Sequence, residues 1–209
     1  MVQTGGTPML ERSRRLNPAV RDRLFRIATD AFVSDGYKGA SLNAILAAAN
    51  MGKSSFFYYF LDKEDLFASV IEAAAARVAA AAGQPALPDN GAAFWPEAFA
   101  ILENWGVAAE REPGFIGLLR ALQPLRRTAS PRLSRVLDEV HQAYRSLLSR
   151  GIELGTIRND LSLDTLMALI DAVDLVLDDA FHPDPATSRD AVAAHRRHVI
   201  DAIQRIIRP

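Results

Sequence analysis

Residues 41–63 read SLNAILAAANMGKSSFFYYFLDK, a stretch in which two short apolar helical segments are separated by a tight break. Ser41 can accept hydrogen bonds from the free N–H groups at the start of the first segment. The break at Asn50-Met51-Gly52 ends that segment, and a second helix is predicted from there to about Tyr59. Two short helices joined by a turn of three or four residues are typical of a helix-turn-helix unit.

A longer helix is predicted before this pair. Asn17-Pro18 supplies a capping side chain followed by a proline at the first helical position. Apolar residues then recur at helical spacing until the chain reaches Asp35-Gly36, where we expect the helix to end. Residues 1–16 are polar, basic and contain glycine, so they are predicted to form a flexible N-terminal arm.

Helical patterns continue to the end of the chain, which makes the predicted fold class all-α. Asp62 is expected to cap the helix that follows it, with Asp65 at the position where an acidic side chain can bond back. Most prolines and glycines fall between the periodic segments. The later helices are predicted near residues 63–82, 92–110, 114–122, 131–151, 163–180 and 187–207.

The composition excludes several classes of protein. The 209 residues are 49% hydrophobic and carry a net charge of −1, which excludes a disordered polyelectrolyte. The absence of cysteine excludes disulfide scaffolds, thiolate metal sites and cysteine nucleophiles. No run approaches the roughly 18 apolar residues that span a bilayer, and the N-terminus lacks the pattern of a signal peptide. We therefore expect a cytoplasmic protein with no membrane partner.

Basic side chains are concentrated at the N-terminal end of the chain. Residues 1–63 carry nine basic and five acidic side chains, whereas residues 64–209 carry 15 and 20. This asymmetry favours a polyanionic partner for the N-terminal end. The second helix of the pair has polar tips suited to a DNA major groove, on Lys53, Ser54, Ser55 and Tyr58. Its expected buried anchors are Met51, Phe56, Tyr59 and Phe60.

Lys63 is a separate indication of a polyanion. It stands in the first turn of a predicted helix, where its ammonium opposes the helix macrodipole. A bound phosphate would reverse the sign of that interaction, because the helix N-terminus and the ammonium would share one anion. The position therefore predicts a contact between Lys63 and a DNA phosphate.

Residues 23–66, RLFRIATDAFVSDGYKGASLNAILAAANMGKSSFFYYFLDKEDL, resemble the DNA-binding domain of the TetR family of bacterial transcriptional repressors. Residues 155–160, GTIRND, resemble the loop that precedes the dimerisation helices of that family. The residues of the first stretch that match are Ala28, Phe32, Gly36, Tyr37, Ser41, Ile45, Ala48, Ala49, Lys53, Tyr59, Phe60, Lys63, Glu64 and Leu66.

The resemblance implies a ligand-responsive transcriptional regulator, most simply a repressor, and not an enzyme. Residues 17–65 would form the helix-turn-helix DNA-binding domain, and residues 66–209 would bind an effector and dimerise. Two copies would pair through helices 163–180 and 187–207 and read a pseudo-palindromic operator, with their reading helices about 34–36 Å or a multiple apart. An effector would move the fourth helix and release the DNA. Neither a cofactor nor a metal ion is expected.

The residues expected to contact DNA are Ser41, Lys53, Ser54, Ser55, Phe57, Tyr58 and Lys63. Four positions depart from the usual pattern of the family, and one of them is Ser54, which stands where a glycine is usual before the last groove-facing residue. Asn50 replaces a glycine at the turn, but asparagine tolerates left-handed backbone. Phe57 stands where a tyrosine commonly reaches a phosphate, and a phenyl ring cannot donate. Tyr58 stands where histidine is common, and its hydroxyl can take over that contact.

The candidate effector residues lie in the C-terminal part, whose aromatic side chains favour a largely apolar small molecule. They are Trp95, Phe99, Trp105, Phe115, Tyr144 and Asp171. Asp171 shares a helical face with Asp174 and Asp178, so this face can bind a cationic effector. Alternatively the face is a charged flank that pairs with arginines of the last helix, namely Arg196, Arg197 and Arg205.

Other functions fit the sequence less well. Gly52-Lys53-Ser54 resembles the end of a phosphate-binding loop, but Ala47 stands where that loop needs its first glycine. His195 and His198 are spaced to share a metal ion, but the arginines between them repel cations. The sequence contains no nucleophile motif, so an enzyme is not expected. A helical adaptor that docks a protein partner, and an activator in place of a repressor, stay open as alternatives.

Overall fold

The computed structural model describes residues 15–83, 86–125, 128–180 and 188–209, and these form nine α-helices without a strand. The predicted all-α fold class is confirmed. No helix within these ranges is long and apolar enough to cross a bilayer. The helices, numbered in chain order, are α1 (Pro18–Gly39), α2 (Leu42–Ala48), α3 (Lys53–Tyr59), α4 (Lys63–Ala82), α5 (Gly91–Arg111), α6 (Phe115–Leu122), α7 (Pro131–Glu153), α8 (Leu163–Ala180) and α9 (Arg189–Ile207).

Side-chain caps explain where most of these helices begin. Each cap accepts a hydrogen bond from a backbone N–H in the first helical turn, which would otherwise lack a partner. Pro18 and Pro131 follow two of the caps as the first helical residues, where a missing N–H costs nothing. The capping residues are Asn17, Ser41, Asp62, Asn90, Ser130, Ser162 and Ser188.

The first helix departs from the prediction at its C-terminal end. The backbone at Gly36 leaves the helical conformation with φ of 67°, which is where the sequence predicts the end of the helix. The chain then completes one more turn up to Gly39, and the N–H of Ala40 donates to the carbonyl of Gly36. The helix is therefore longer than predicted but kinked at the expected glycine.

The chain divides into two compact units. One contains residues up to Ala82 together with Ala108–Val140, and the other contains Gly83–Val107 and His141–Pro209. Helices α1 to α4 and α6 belong to the first unit, whereas α8 and α9 belong to the second. The division into a DNA-binding region of residues 17–65 and an effector-binding region of residues 66–209 is a functional one and stays a prediction.

An aromatic core holds the first unit together. Phe32 of α1 and Phe67 of α4 are fully buried, and their rings meet edge to face with centroids 4.7 Å apart. Phe56 and Phe60 stack at 5.2 Å and are also inaccessible to solvent. Burying one such ring contributes roughly 1.5–3 kcal/mol. Because this core includes Phe56 of α3, it determines which face of α3 is turned outward.

Helix α6 packs closely against α1 within the same unit. Gly117 allows this approach, because a Cβ atom at that position would lie only 2.8 Å from both γ-carbons of Val33. Valine has one strongly preferred rotamer in a helix, so relieving this contact would require an unfavourable rotamer of Val33 or a shift of α1. A glycine at 117 is therefore required by packing, even though its position lies inside a helix.

The second unit has its own core, formed mainly between α5, α7 and α8. The loop after α7 is fixed to it, because the N–H groups of Thr156 and Ile157 both donate to the carbonyl of Gly151. Arg158 extends the attachment, since its N–H donates to the carbonyl of Ile207 over 2.9 Å. The buried core residues are Phe94, Ala98, Leu147, Leu148, Ile157, Leu166, Met167, Ile170 and Ile207.

Candidate nucleic-acid interface

The turn between α2 and α3 has the backbone geometry of a Schellman motif. Asn50 adopts the left-handed conformation with φ of 51°, as expected for an asparagine in place of glycine. Its N–H donates to the carbonyl of Ala47 at 3.1 Å, and the N–H of Met51 donates to that of Leu46 at 2.9 Å. Met51 and Leu46 are both buried. The turn is thus closed by two hydrogen bonds and flanked by two buried apolar side chains, which holds α3 at a defined angle to α2.

Helix α3 is divided sharply into a buried and an exposed side. Phe56 has no exposed surface, and Phe60, which follows the helix, is equally buried. Tyr59 was expected to be a buried anchor but is only half-buried. The exposed residues of α3 are Lys53, Ser54, Ser55, Phe57 and Tyr58, all of which belong to the predicted DNA-contacting set. The helix therefore presents the candidate residues together on one surface.

Ser41 lies at the start of α2, where its hydroxyl accepts from the N–H of Ala44 at 3.4 Å. The residue is exposed, so its hydroxyl can also donate to a phosphate oxygen. The structure thus gives Ser41 a capping role, and its predicted DNA contact stays a prediction.

Lys63 donates hydrogen bonds to backbone carbonyls that the sequence did not indicate. Its ammonium donates to the backbone carbonyls of Tyr37 at 2.7 Å, Ala40 at 3.0 Å and Lys38 at 3.4 Å. It also lies over the Tyr37 ring, 4.6 Å from the centroid. An ammonium has three N–H groups, and all three have acceptors in this arrangement. Lys63 therefore holds the end of α1 against the start of α4, and its predicted phosphate contact would compete with these bonds.

A polar network sets the start of α4. The N–H of Asp65 donates to Asp62, and the Asp65 carboxylate accepts from the N–H of Leu61 at 3.0 Å, close to the predicted reciprocal cap. Arg132 of α7 donates to the same carboxylate at 2.5 Å and to the hydroxyl of Ser69 at 2.9 Å. The side chains of Arg132 and Asp65 are 16% and 8% exposed. The network therefore links α7 to the helix that follows the helix-turn-helix.

Tyr37 lies in this region, between the core and the acidic start of α4. Its ring packs against Phe67 at 5.2 Å and against Phe32 at 6.2 Å. Burial raises the pKa of the Tyr37 hydroxyl, and the negative charges of Glu64 and Asp62 raise it further. Tyr37 is therefore neutral at physiological pH and serves as a packing residue at the end of α1.

The six candidate effector residues do not share one unit. Phe115 is buried in the first unit, whereas Trp95, Phe99, Trp105, Tyr144 and Asp171 belong to the second. Trp95 and Phe99 are half-buried neighbours with centroids 5.9 Å apart, and Trp95 and Tyr144 pack against the core of the second unit. Arg208 lies over the ring of Trp95 at 5.6 Å.

A groove of about 440 Å³ lies in the first unit, between the end of α1 and α6. Its walls include Phe32, Tyr37, Lys38, Gly117 and Arg120. None of the candidate effector residues lines it. The groove is therefore lined by a different set of residues from the predicted effector pocket.

The acidic face of α8 is only partly described. Asp171 lies 3.6 Å from Nε2 of His141, and Arg205 of α9 pairs with Asp201 of its own helix. The side chains of Asp174, Asp178 and Arg196 lie outside the described residues, as do residues 1–14 of the predicted N-terminal arm. The cation site and the charged flank both stay predictions for this face.

Two features of the region were missed in the sequence. Leu61, directly after α3, is 60% exposed and lies beside the candidate contact residues. An apolar residue next to the buried Phe60 gives no signal of exposure, because apolar neighbours at a helix end are usually core residues. Arg132 was missed because its partners are more than 60 positions away along the chain.

Two family models match the chain. Residues 24–70 match the model described as bacterial regulatory proteins of the TetR family, and residues 107–199 match the C-terminal domain of SbtR-like transcriptional regulators. The transcriptional repressor AcnR of Corynebacterium diphtheriae is 25% identical over 158 residues, covering 73% of this chain and 76% of that protein. The repressor DhaR of Mycobacterium sp. strain GP1 is 27% identical, covering 70% and 74%.

Solved structures agree on the fold. A TetR family regulator from Shewanella sp. PV-4 superposes with a TM-score of 0.67 at 17% identity, covering 91% of this chain and 98% of that one. A second, from Chloroflexus aurantiacus, gives 0.59 at 22% identity, covering 95% and 98%. The likeness to these structures concerns the fold, and the two matched family models, with the similar repressors, show that the chain belongs to the TetR family of bacterial regulators and is a DNA-binding transcriptional regulator.

Proposed function

We propose that the chain is a repressor that binds a pseudo-palindromic operator as a homodimer and leaves it when a small molecule binds. The observation that carries the DNA-binding part is the exposed surface of α3, held by the Schellman turn on one side and by buried Phe56 on the other. Helices presented in this way enter the major groove in helix-turn-helix proteins. The repressors AcnR and DhaR, which this chain resembles, support repression over activation.

On the exposed side of α3, we assign phosphate contacts and base contacts to different residues. Lys53 is exposed and forms no ion pair with any described residue, so its ammonium is available to a phosphate. Ser54, Ser55 and Tyr58 carry hydroxyl groups that can donate to or accept from base edges. Ser41 and the N-terminus of α4 would face the DNA backbone, whereas the Lys63 ammonium keeps its hydrogen bonds to the carbonyls at the end of α1. Residues 17–65 form the DNA-binding region in this proposal.

Residues 66–209 would then provide dimerisation and effector binding. The exposed side of α8 carries Leu169, and that of α9 carries Ile206, which gives both helices apolar surface to pair with a second copy. The half-buried aromatic residues Trp95, Phe99, Trp105 and Tyr144 support an effector that is largely apolar. Asp171 completes the candidate set within the second unit, whereas Phe115 is left out because it is buried in the core of the first unit. An effector that prefers the form unable to bind DNA weakens binding by a coupling of about 1–3 kcal/mol.

The proposal is tested by selecting duplexes from a random-sequence library with the purified protein, after small molecules have been extracted. Fluorescence anisotropy then compares the enriched duplex with a scrambled one over a range of salt concentrations. We expect binding to the enriched duplex to be at least about 10³-fold tighter and to weaken steeply with salt. Equal, weak binding to both duplexes contradicts the proposal and favours a protein-docking head.

The Ser55→Ala variant is put through the same duplex selection and anisotropy measurement. If Ser55 contacts a base edge, the variant changes which sequences are enriched. The part of the DNA affinity that comes from phosphate contacts persists. A uniform loss of affinity across all sequences removes Ser55 from the base-reading set. The Ser134→Ala variant, at a half-buried serine on α7, is the matched control for removal of a hydroxyl.

A further inference from the structure

Phe57 is an exposed aromatic side chain on the outward surface of α3. It is 53% exposed, whereas the preceding Phe56 is fully buried. Lys53 and Ser54 lie four and three residues earlier, so on a helix they are neighbours of Phe57 on the same face. The phenyl ring therefore stands among the polar tips that read DNA in the proposed function.

The position of this ring is well defined. Phe57 meets the buried Phe56 ring edge to face, with centroids 5.2 Å apart. The next residue, Tyr58, is 59% exposed and packs perpendicular to Tyr59 at 4.9 Å. Two neighbouring aromatic residues are thus presented outward, and only Tyr58 has a polar tip. Phe57 offers apolar surface alone.

The chemistry of a DNA duplex leaves few partners for such a surface. A phenyl ring neither donates nor accepts a conventional hydrogen bond, and its face carries partial negative charge, which phosphates repel. In the major groove the 5-methyl group of thymine is the apolar feature that distinguishes one base from the others. We propose that Phe57 reads thymine in the operator by packing against this methyl group. The inference rests on the proposed entry of α3 into the major groove.

The test replaces thymine by deoxyuridine, which removes the methyl group and leaves every hydrogen-bonding edge unchanged. The enriched duplex is synthesised with one thymine replaced at a time, and anisotropy measures the affinity of each version. At the thymine that faces Phe57, we expect binding about fourfold weaker per half-site, the equivalent of about 0.8 kcal/mol for one buried methyl-sized group. Replacement at other thymines changes affinity little.

Two variants, Phe57→Ala and Phe57→Tyr, test whether the preference for thymine over deoxyuridine comes from the Phe57 ring. Phe57→Ala is expected to bind the thymine and deoxyuridine duplexes equally, and Phe57→Tyr, which keeps the ring, is expected to retain the fourfold preference. Because Phe57 is exposed, both variants should keep the thermal midpoint of the native protein to within a few degrees. Circular dichroism melts verify this before binding is measured.

Three outcomes overturn the inference. No thymine at which deoxyuridine weakens binding means that no methyl group is read. A preference that survives in Phe57→Ala with both affinities unchanged means that another residue reads the methyl group. A preference that survives while both affinities fall by the same factor places the ring on the sugar-phosphate backbone. In each of these cases a duplex has been enriched, so the proposed function stands. If no duplex is enriched, the proposed function fails and this inference fails with it.

Discussion

The ammonium of Lys63 lies 2.7 Å from the backbone carbonyl of Tyr37, a residue 26 positions earlier in the chain. This contact joins the first turn of α4 to the last turn of α1, and the carbonyls of Lys38 and Ala40 complete the set of acceptors. The three carbonyls belong to the segment that leads into α2, so the lysine helps to position the helix-turn-helix itself.

Lys63→Met should therefore destabilise the protein while leaving the charge-dependent part of DNA binding nearly intact. Hydrogen bonds from a charged donor are worth more than neutral ones, and we expect a loss of about 2 kcal/mol, since the site is only partly buried. Urea denaturation measures this loss. The slope of log affinity against log salt should change by much less than the value of about 1 expected for a lost phosphate contact.

Lys53→Met is the matched control for that experiment, because Lys53 is exposed and its ammonium has no acceptor in the described part of the chain. It should leave the urea midpoint unchanged and lower the salt slope by about 1. If Lys63→Met lowers the slope by the same amount, Lys63 contacts a phosphate as the sequence first suggested.

Arg132→Met should be strongly destabilising. The substitution leaves the carboxylate of Asp65 largely buried with one remaining donor, the N–H of Leu61. Breaking a buried ion pair on one side costs roughly 3 kcal/mol. Arg135→Met, on the exposed side of the same helix, should change the free energy of unfolding by less than about 0.5 kcal/mol. Similar losses of unfolding free energy in both variants would mean that any positive charge on α7 stabilises the protein, and not this network in particular.

Tyr37→Phe should alter how stability depends on alkaline pH. The folded protein raises the pKa of Tyr37, so the neutral hydroxyl is favoured in the folded state. Below about pH 10 tyrosine is neutral in both states, and its contribution is fully present. As the pH rises further, the unfolded chain ionises first and stability is lost. Above pH 10 the free energy of unfolding of the native protein should therefore decline more steeply with pH than that of Tyr37→Phe, in urea titrations at matched pH. Parallel curves contradict this.

Leu169→Glu tests the dimer. Leu169 is 36% exposed on α8, while its neighbours Leu166 and Ile170 are buried in the core of the second unit. A charge at this position would be buried without a partner in the interface that we propose, so the variant should sediment as a monomer and lose operator affinity. Glu139→Leu serves as the control for changes in surface charge. A dimeric Leu169→Glu protein places the interface elsewhere.

The helices were largely predictable from the sequence because their boundaries are set locally. Asn17-Pro18, Ser41 and Asp62 act within one turn of themselves, so residue type and spacing carry the information. The left-handed Asn50 belongs to the same group. The exposed surface of α3 followed from the spacing of Phe56 and Phe60.

The partners of charged side chains were not predictable in this way. Lys63 and Arg132 both bond to atoms that are distant in sequence, and nothing in the residues around them indicates those atoms. The ammonium of Lys63 does oppose the macrodipole of α4, but carbonyls at the end of α1 accept its hydrogen bonds and offset that cost. Phe115 illustrates the same point for apolar residues, since an aromatic side chain in a core and one in a pocket look alike in sequence.

The packing of Gly117 against Val33 has a consequence for how this protein and its relatives vary. The two positions lie on different helices and yet share one small volume, so neither can change size alone. In relatives that keep this crossing of α1 and α6, an alanine or serine at the position of Gly117 should occur together with alanine or glycine at that of Val33. Paired substitution of this kind is a record of helix spacing that can be read from sequences alone.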